Sequence, residues 1–291
     1  MIPTESKLHI ADNCNIIPNT RTLCYLNGDD NNNTWYEQIP DKKALFNGDK
    51  YIATMSNASA DNLRTYPDFV NMLNTGLMES NTLDLDNVEV QDDMLDNGGK
   101  FSRLITFHGT TTTFGKDTMK LRLWAWTAYN LRWAEQFIFG PMIVYCLNGC
   151  MRADWKIKGM SKKNWNTKTS LGASDISRAL DAFNQYPEWF ELMAKKTIAQ
   201  DNVKHLFENT LASIDDPLHP RVSSYAMSEL STHWDSYKRR YGLNMYAVYQ
   251  TATHWATHPE GKGQPMNKFR TRSDKVASML QSQDWNTLLA A

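Results

Sequence analysis

The chain has 291 residues, of which 41% are hydrophobic and 22% charged, a composition typical of a soluble globular protein with a sizeable core. No apolar run approaches the ~18 residues that a membrane span needs, and the first residues lack the basic-then-apolar pattern of a secretion signal. Four cysteines in a chain of this length do not indicate a disulfide framework, so a protein of the reducing cytoplasm is expected.

The charge is distributed unevenly along the chain, although the formal net charge is only −1. Residues 1–100 contain 7 Lys and Arg against 16 Asp and Glu, residues 101–172 contain 11 against 3, and residues 173–291 contain 13 of each. An acidic first third is followed by a basic, aromatic-rich middle. We predict an acidic, turn-rich region at 1–98, a basic β region at 99–172 and a helical region at 173–291, the last two forming one compact unit.

Between residues 82 and 99 apolar residues alternate with acidic and amide residues, at Leu83, Leu85, Val88 and Val90. This pattern predicts a short strand. Its acidic neighbours form either a solvated face or an intramolecular competitor for a basic groove. The solvated face is the commoner use of such a charge run.

The stretch HGTTTTFGKDTMK at 108–120 has the outline of a phosphate-binding loop, because a strand-like run precedes it and it contains Gly-Lys. A P-loop needs two glycines separated by four residues, followed by Lys and a hydroxyl residue at the start of a helix. Here five residues separate Gly109 from Gly115, Asp117 replaces the hydroxyl residue, and a strand pattern follows. The stretch therefore predicts a β-hairpin loop and not a nucleotide site.

The segments around this loop show the alternation or short apolar runs of β-strands: FSRLITF, MKLRLWAWT and FIFGPMIVYC. In the second segment the alternation places leucines on one face and Lys120, Arg122, Trp124 and Trp126 on the other. A face that is both cationic and aromatic is unusual for a surface that contacts only water. The alternative is that the tryptophans are core residues.

After residue 170 the apolar residues follow helical spacing. The run SDISRALDAFNQYPEWFELMAKK begins with an N-cap-like Ser174, and Pro187 is expected to break or kink it. Four more helical runs follow. Strands followed by a block of helices indicate an α+β fold, with an antiparallel β-rich N-terminal half packed with a helical C-terminal half.

Two residue pairs have the spacing of metal ligands: Cys146 with Cys150, and His254 with His258. They could form a tetrahedral zinc site, but about a hundred residues separate them, and Trp255 stands where a zinc hydrolase has its catalytic Glu. We expect these residues to pack in the core, and we expect no metal and no cofactor. No serine-hydrolase elbow or carboxylate pair stands out, so we do not expect an enzyme.

The strongest functional pattern is the mixture of cations and tryptophans between residues 103 and 168. Proteins that bind single strands without sequence preference combine a cationic groove with aromatic rings on which bases stack, at ~1–3 kcal/mol per base. The run RADWKIKGMSKKNWNTKTS is typical of an exposed arm of this kind. The predicted nucleic-acid-binding residues are Arg103, Lys116, Lys120, Arg122, Trp124, Trp126, Arg132, Arg152, Trp155, Lys156, Lys158, Lys162, Lys163, Trp165 and Lys168.

Two segments resemble hallmarks of a phage and plasmid protein family that is catalogued as a domain of unknown function (number 932). In VYCLNGC, Cys146, Asn148 and Gly149 match the family's strand-end Cys-x-Asn-Gly element. In GLNMYAVYQTATHWATH, the residues that approximate the family's later helix are Asn244, Thr253, Thr257 and His258. The resemblance covers roughly residues 100–283 and leaves out the acidic N-terminal region.

More narrowly, the size and organisation resemble the Drc-type single-stranded-DNA-binding transcription regulators of podophages. This resemblance implies cooperative, sequence-tolerant binding of single-stranded DNA and supplies no catalytic residues. Self-association as a homo-oligomer is expected of proteins that bind single strands, and we expect a protein of the host cytoplasm with no membrane contact. The resemblance also implies a role in phage transcription, with the phage RNA polymerase as a partner. Two alternatives stay open: a recombination protein that anneals complementary strands, and a module that binds a host protein through its acidic N-terminal region.

Overall fold

The computed structural model describes residues 8–28, 34–132, 134–143, 156–158, 170–214, 221–258 and 265–291. The strands are β1 (Asn19–Gly28), β2 (Thr34–Asn47), β3 (Lys50–Ser56), β4 (Val88–Leu95), β5 (Lys100–Phe114), β6 (Asp117–Thr127), β7 (Gln136–Ile143), β8 (Lys156–Lys158), β9 (Ser213–Ile214) and β10 (Arg221–Val222). The helices are α1 (Asn57–Asp61), α2 (Tyr66–Ser80), α3 (Ala173–Lys195), α4 (Gln200–Asn209), α5 (Ser224–Tyr241), α6 (Met245–Thr257), α7 (Pro265–Gln281) and α8 (Gln283–Ala290). Sheets dominate the N-terminal half and helices the C-terminal half, which confirms the predicted α+β class.

None of the helices in these ranges is long and apolar enough to cross a membrane. The chain forms two compact units. The first comprises Met1–Thr106, Leu123–Ile138 and Ile157–Ser177, and the second comprises Phe107–Arg122, Phe139–Lys156 and Arg178–Ala291.

The first unit contains the antiparallel sheet β1-β2-β3 and a core centred on α2. Thr65 caps α2 by accepting a hydrogen bond from the backbone N–H of Asp68. The ring of Tyr66 stacks on that of Tyr129 with 3.7 Å between centroids, and the Tyr129 hydroxyl donates to the carbonyl of Ile16 at 2.7 Å. The acidic first hundred residues therefore contain a packed helix that their turn-rich composition does not predict.

A five-stranded sheet in the order β4-β5-β6-β7-β8 carries the predicted hairpin. β5 and β6 are joined by a two-residue turn whose Gly115 has a φ of +58°, a conformation that glycine adopts without strain. This geometry confirms the hairpin expected from residues 108–120. The strand expected from Leu83 onward begins only at Val88, because the side chain of Asp84 accepts hydrogen bonds from the backbone N–H groups of Asp86 and Asn87 and holds a turn there.

The helices predicted after residue 170 are present. Pro187 lies inside α3 and does not break it, and Ser174 lies in the first turn of that helix and not at its N-cap. α6 packs between α5 and α7 and is buried on nearly all sides, from Met245 to Thr253. This central helix positions the side chains that form the site described next.

Candidate nucleic-acid interface

Arg103 is fully buried and is committed to structural contacts in the first unit. Its Nε and Nη2 donate to the two carboxylate oxygens of Asp92, each at 2.7 Å. Its guanidinium also donates to the carbonyls of Leu8 and His9, at 2.8 and 3.1 Å. A guanidinium with these partners does not contact phosphate, so the structure corrects the prediction that placed Arg103 in the interface.

Trp124 and Trp126 are also removed from the predicted interface. Their side chains are only 5% and 2% exposed, so neither ring offers a face on which a base could stack. β6 is the middle strand of its sheet, and its residues from Leu123 to Thr127 are buried on both faces. The alternative interpretation, that these tryptophans are core residues, therefore describes them.

The other predicted residues differ in exposure, and some of them lie outside the described ranges. Lys116 and Arg132 are exposed, whereas Lys120 and Arg122 are half-buried, with the Lys120 ammonium 2.7 Å from His108 Nδ1. Lys156 and Lys158 are the first and last residues of β8, the edge strand next to β7. The predicted residues that lie outside the described ranges are Arg152, Trp155, Lys162, Lys163, Trp165 and Lys168.

Asp117, at the first position of β6, fixes the tip of the hairpin in the second unit. Its side chain is 2% exposed, and its Oδ1 accepts a hydrogen bond from Arg240 Nη2 at 2.7 Å. Its Oδ2 accepts from the hydroxyls of Tyr241 at 2.6 Å and Tyr246 at 3.3 Å. The ring of Phe114 adds an edge contact to Tyr246, with 4.9 Å between centroids. The hairpin tip is thereby held against the end of α5 and the start of α6.

Backbone pairing brings the end of α3 to the same place. The N–H of Met245 donates to the carbonyl of Lys196 at 2.9 Å, and the N–H of Ile198 donates to the carbonyl of Leu243 at 3.0 Å. α5 is followed by Gly242 at its C-terminal cap, and the φ of +90° at this position would strain any residue with a Cβ. The loop at 242–244 connects α5 to α6 and pairs through its backbone with the segment that follows α3, beside the hairpin tip.

We name the cations gathered by these contacts the tip cluster: Lys116, Lys195, Lys196, Arg239 and Arg240. Arg240 is paired with Asp117, and Lys195 is paired with Glu191 at 2.7 Å. Lys116, Lys196 and Arg239 form no ion pair with any residue in the described part of the chain. Lys196 and Arg239 donate to the backbone carbonyls of Ala290 and Asp235. Five cations with two paired carboxylates leave the cluster with an excess of positive charge, which is suited to bind phosphate groups.

Sequence reasoning found only Lys116 of this cluster. Residues 173–291 have no net charge, so charge counting did not single out the Lys-Lys pair at 195–196 or the Lys-Arg-Arg run at 238–240. The run at 238–240 was the available signal, although cations in the last turn also stabilise a helix through its dipole. Only the contacts of Asp117 show that these segments share a surface with the hairpin tip.

The paired histidines form an aromatic cluster on α5 and α6. The rings of His254 and His258 stack with 4.4 Å between centroids, and the Tyr237 hydroxyl lies 2.9 Å from His254 Nδ1. Burial, together with the nearby His233 and His258, lowers the pKa of His254 to about 4. Burial also lowers the pKa of His258.

A metal site at these histidines stays a hypothesis. No group of three or more His, Cys, Asp or Glu in the described ranges is arranged to hold a metal ion. Cys146 and Cys150, which would complete the proposed zinc ligands, lie outside those ranges.

Comparison with known protein families decides the relationship. A family model described as "Domain of unknown function (DUF932)" matches residues 88–284, which is more than half of the chain. The chain belongs to the DUF932 family. The DUF932 region begins at β4, extends into α8 and contains every residue of the tip cluster. No curated protein and no solved structure shows significant similarity to the chain.

The residues of α6 that carried the DUF932 resemblance have structural roles. Asn244 caps the helix, because its Oδ1 accepts from the N–H of Ala247 at 2.9 Å and its Nδ2 donates to the carbonyl of Tyr241 at 2.7 Å. Thr253 and Thr257 donate to backbone carbonyls one turn earlier in the helix. These residues shape α6 and therefore position Tyr246, which contacts Asp117.

Proposed function

We propose that this DUF932 protein binds single-stranded DNA without sequence preference, and that the tip cluster contacts the phosphates together with the basic segment at 152–168. One observation carries the proposal: Lys116, Lys196 and Arg239 come from three distant segments that meet at the contacts of Asp117 and Met245, and none of the three has an ion pair within the described residues. Each cation that binds a phosphate releases a condensed counterion, and this release drives association.

A single strand is proposed as the ligand because of the aromatic residues in the basic segment. Trp155 and Trp165 lie among its lysines in the sequence. Stacking on a tryptophan requires a base whose face is accessible, as in a single strand, and such stacking tolerates any base. Trp124 and Trp126 do not contribute, since both are buried.

The proposal extends to the role implied by the resemblance to Drc-type regulators. We include in it cooperative self-association along the strand and a function in phage transcription with the phage RNA polymerase as partner. Transcription by that polymerase on a single-stranded template, with and without the protein, tests this part separately. We propose no catalytic step.

Fluorescence anisotropy with a labelled oligonucleotide, single-stranded and duplex, tests binding at several salt concentrations. The informative variant combines Lys116→Gln, Lys196→Gln and Arg239→Gln. Each phosphate contact to a single strand contributes about 0.7 to the slope of log K against log salt, so the loss of three contacts should lower this slope by about 2. The same relation predicts a loss of affinity of about 100-fold at 0.1 M salt.

A matched control removes three exposed cations elsewhere, with Lys42→Gln, Lys50→Gln and Lys204→Gln. It changes the net charge equally, but it should change affinity by less than about threefold because exposed charges that do not contact the DNA are largely screened. Equal losses in the two triple variants would refute the assignment to the tip cluster. Equal affinity for duplex would remove the single-strand claim, and no binding at low salt would remove the function.

A further inference from the structure

A pocket of about 410 Å³ lies in the second unit, at the opposite end of α5 from the tip cluster. Its apolar wall is formed by the side chains of Leu211, Ala212, Ile214, Ala226 and Trp255. Small-molecule sites in proteins have volumes of about 300–1,000 Å³ and mostly apolar walls with a few polar groups. In size and lining the pocket fits this class.

Three cations from α7 complete the lining: Lys268, Arg272 and Lys275. Their spacing of four and three residues places them on one face of the helix. Among the described residues that line the pocket, none is acidic. The pocket therefore combines an apolar wall with a cationic side, which is complementary to an anion that carries an apolar body.

Arg272 is held rigidly at this cationic side and is only 9% exposed. Its Nη2 donates to Glu229 Oε2 at 2.6 Å, its Nη1 donates to the carbonyl of Trp255 at 2.8 Å, and its guanidinium lies 4.5 Å from the centroid of the Trp255 ring. The Trp255 indole N–H donates to the same oxygen of Glu229 at 3.1 Å. These contacts orient the guanidinium before any ligand arrives.

The hydrogen-bonding capacity of Arg272 is not exhausted by these partners. A guanidinium has five N–H donors, and the described residues accept from two of those of Arg272. A planar guanidinium matches the two oxygens of a carboxylate or phosphate. An anion in the pocket would satisfy the remaining donors.

We propose that this pocket binds a small organic anion, with a ring-sized apolar body against the wall and one phosphate or carboxylate group held by Arg272. Lys268 and Lys275 add positive charge on the same side. A neutral apolar ligand would make no ionic contact with Arg272, and an inorganic anion would leave the apolar wall in contact with water. Both parts of the ligand are therefore needed to fill the site.

This site is separate from the tip cluster. Ala226 of the pocket lies in the first turn of α5 and Arg239 lies in the last, and the 18 residues of the helix span roughly 27 Å at 1.5 Å per residue. Ligand binding in the pocket and DNA binding at the tip cluster can therefore succeed or fail independently.

Isothermal titration calorimetry on the full chain tests the proposal with two pairs of probes and one ion alone. The pairs are adenosine 5′-monophosphate with adenosine, and benzoate with benzyl alcohol; the ion is inorganic phosphate. At least one organic anion should bind at least about tenfold more tightly than its neutral counterpart and than phosphate, since charge-assisted hydrogen bonds contribute that much. The pair that responds identifies the anionic group.

Two tryptophan substitutions on α7 localise the site. Thr271 is exposed and lines the pocket, so Thr271→Trp should fill its mouth and weaken ligand binding by at least about tenfold. Ser278, exposed on the same helix and away from the pocket, supplies the control Ser278→Trp, which should leave ligand binding unchanged. Lys268→Met should also weaken binding, by about fivefold to tenfold, through loss of charge.

Three results would overturn the proposal: no binding of either organic anion, equal binding of the neutral partners or of phosphate alone, or equal effects of the two tryptophan substitutions. Binding of single-stranded DNA, measured by anisotropy, should be unchanged in both tryptophan variants. A failure of the DNA proposal would therefore be seen in a different assay from a failure of this one.

Discussion

Replacement of Asp117 by Ala should destabilise the second unit, because this buried carboxylate joins the hairpin tip to α5 and α6. The change removes hydrogen bonds from the hydroxyls of Tyr241 and Tyr246 and an ion pair with Arg240. Hydrogen bonds to a charged group contribute about 1.5–3 kcal/mol each, and breaking a buried ion pair costs about 3–5 kcal/mol. The Arg240 side chain is 36% exposed, which reduces the ion-pair contribution. We expect the free energy of unfolding to fall by about 4 kcal/mol.

Urea unfolding at pH 7, followed by the circular dichroism of the helices, measures this change. The control is Asp49→Ala, which removes a carboxylate that is 99% exposed and paired with Arg21 at 2.8 Å. A surface pair of this kind contributes at most about 1 kcal/mol, so the control should unfold close to the unsubstituted protein. Equal unfolding midpoints for the two variants would refute the structural role given to Asp117.

The same substitution separates two views of DNA binding. If charge alone mattered, Asp117→Ala would strengthen binding to DNA, because it removes a negative charge next to Lys116. If the contacts of Asp117 assemble the tip cluster, the variant should bind more weakly despite its more positive charge. Anisotropy under conditions in which both variants are folded distinguishes these results, and stronger binding by Asp117→Ala would contradict the assembly argument.

Two further outcomes follow from packing and burial. Gly76→Ala should lower the free energy of unfolding by about 1–3 kcal/mol because its new Cβ would lie 2.2 Å from the carbonyl oxygen of Leu171. Gly172→Ala should be tolerated, since its new Cβ would lie 3.5 Å from Asp175 Oδ2, and similar melting temperatures for the two variants would contradict this. His254 has a pKa of about 4 in the folded protein and an ordinary value of 6.5, so the unfolded chain binds a proton more readily. The free energy of unfolding should therefore keep its full value above pH 6.5 and fall by about 1–2 kcal/mol, after allowance for solvent exposure, as the pH falls towards 4. An NMR titration in which His254 titrates near 6.5 would refute this.

The sequence predicts the elements whose signals are local. Alternation predicted the hairpin strands, and helical spacing predicted α3 to α7, because both patterns are complete within a few turns or pleats. It did not predict the burial of Trp124 and Trp126, since alternation shows which side chains share a face and not whether that face is covered. β6 lies in the middle of five strands, so its second face is also buried. The burial of Arg103 also has no local signal, because its partner Asp92 belongs to the neighbouring strand β4.

The candidate interface depends on contacts that no local pattern reports. Asp117 is separated from Arg240 by 123 residues in the sequence. Their ion pair neutralises Arg240 and holds the hairpin tip, which carries Lys116, at the end of α5. The presence of Asp at position 117 was enough to exclude a phosphate-binding loop at residues 108–120, since a carboxylate at this position repels phosphate. The folded chain neutralises that same carboxylate with Arg240 and two tyrosine hydroxyls, so it holds the hairpin tip beside Lys196 and Arg239 without opposing an anion bound there. The surface charge of this protein therefore follows from which cations gain a carboxylate partner on folding, and segment totals such as the zero net charge of residues 173–291 conceal it.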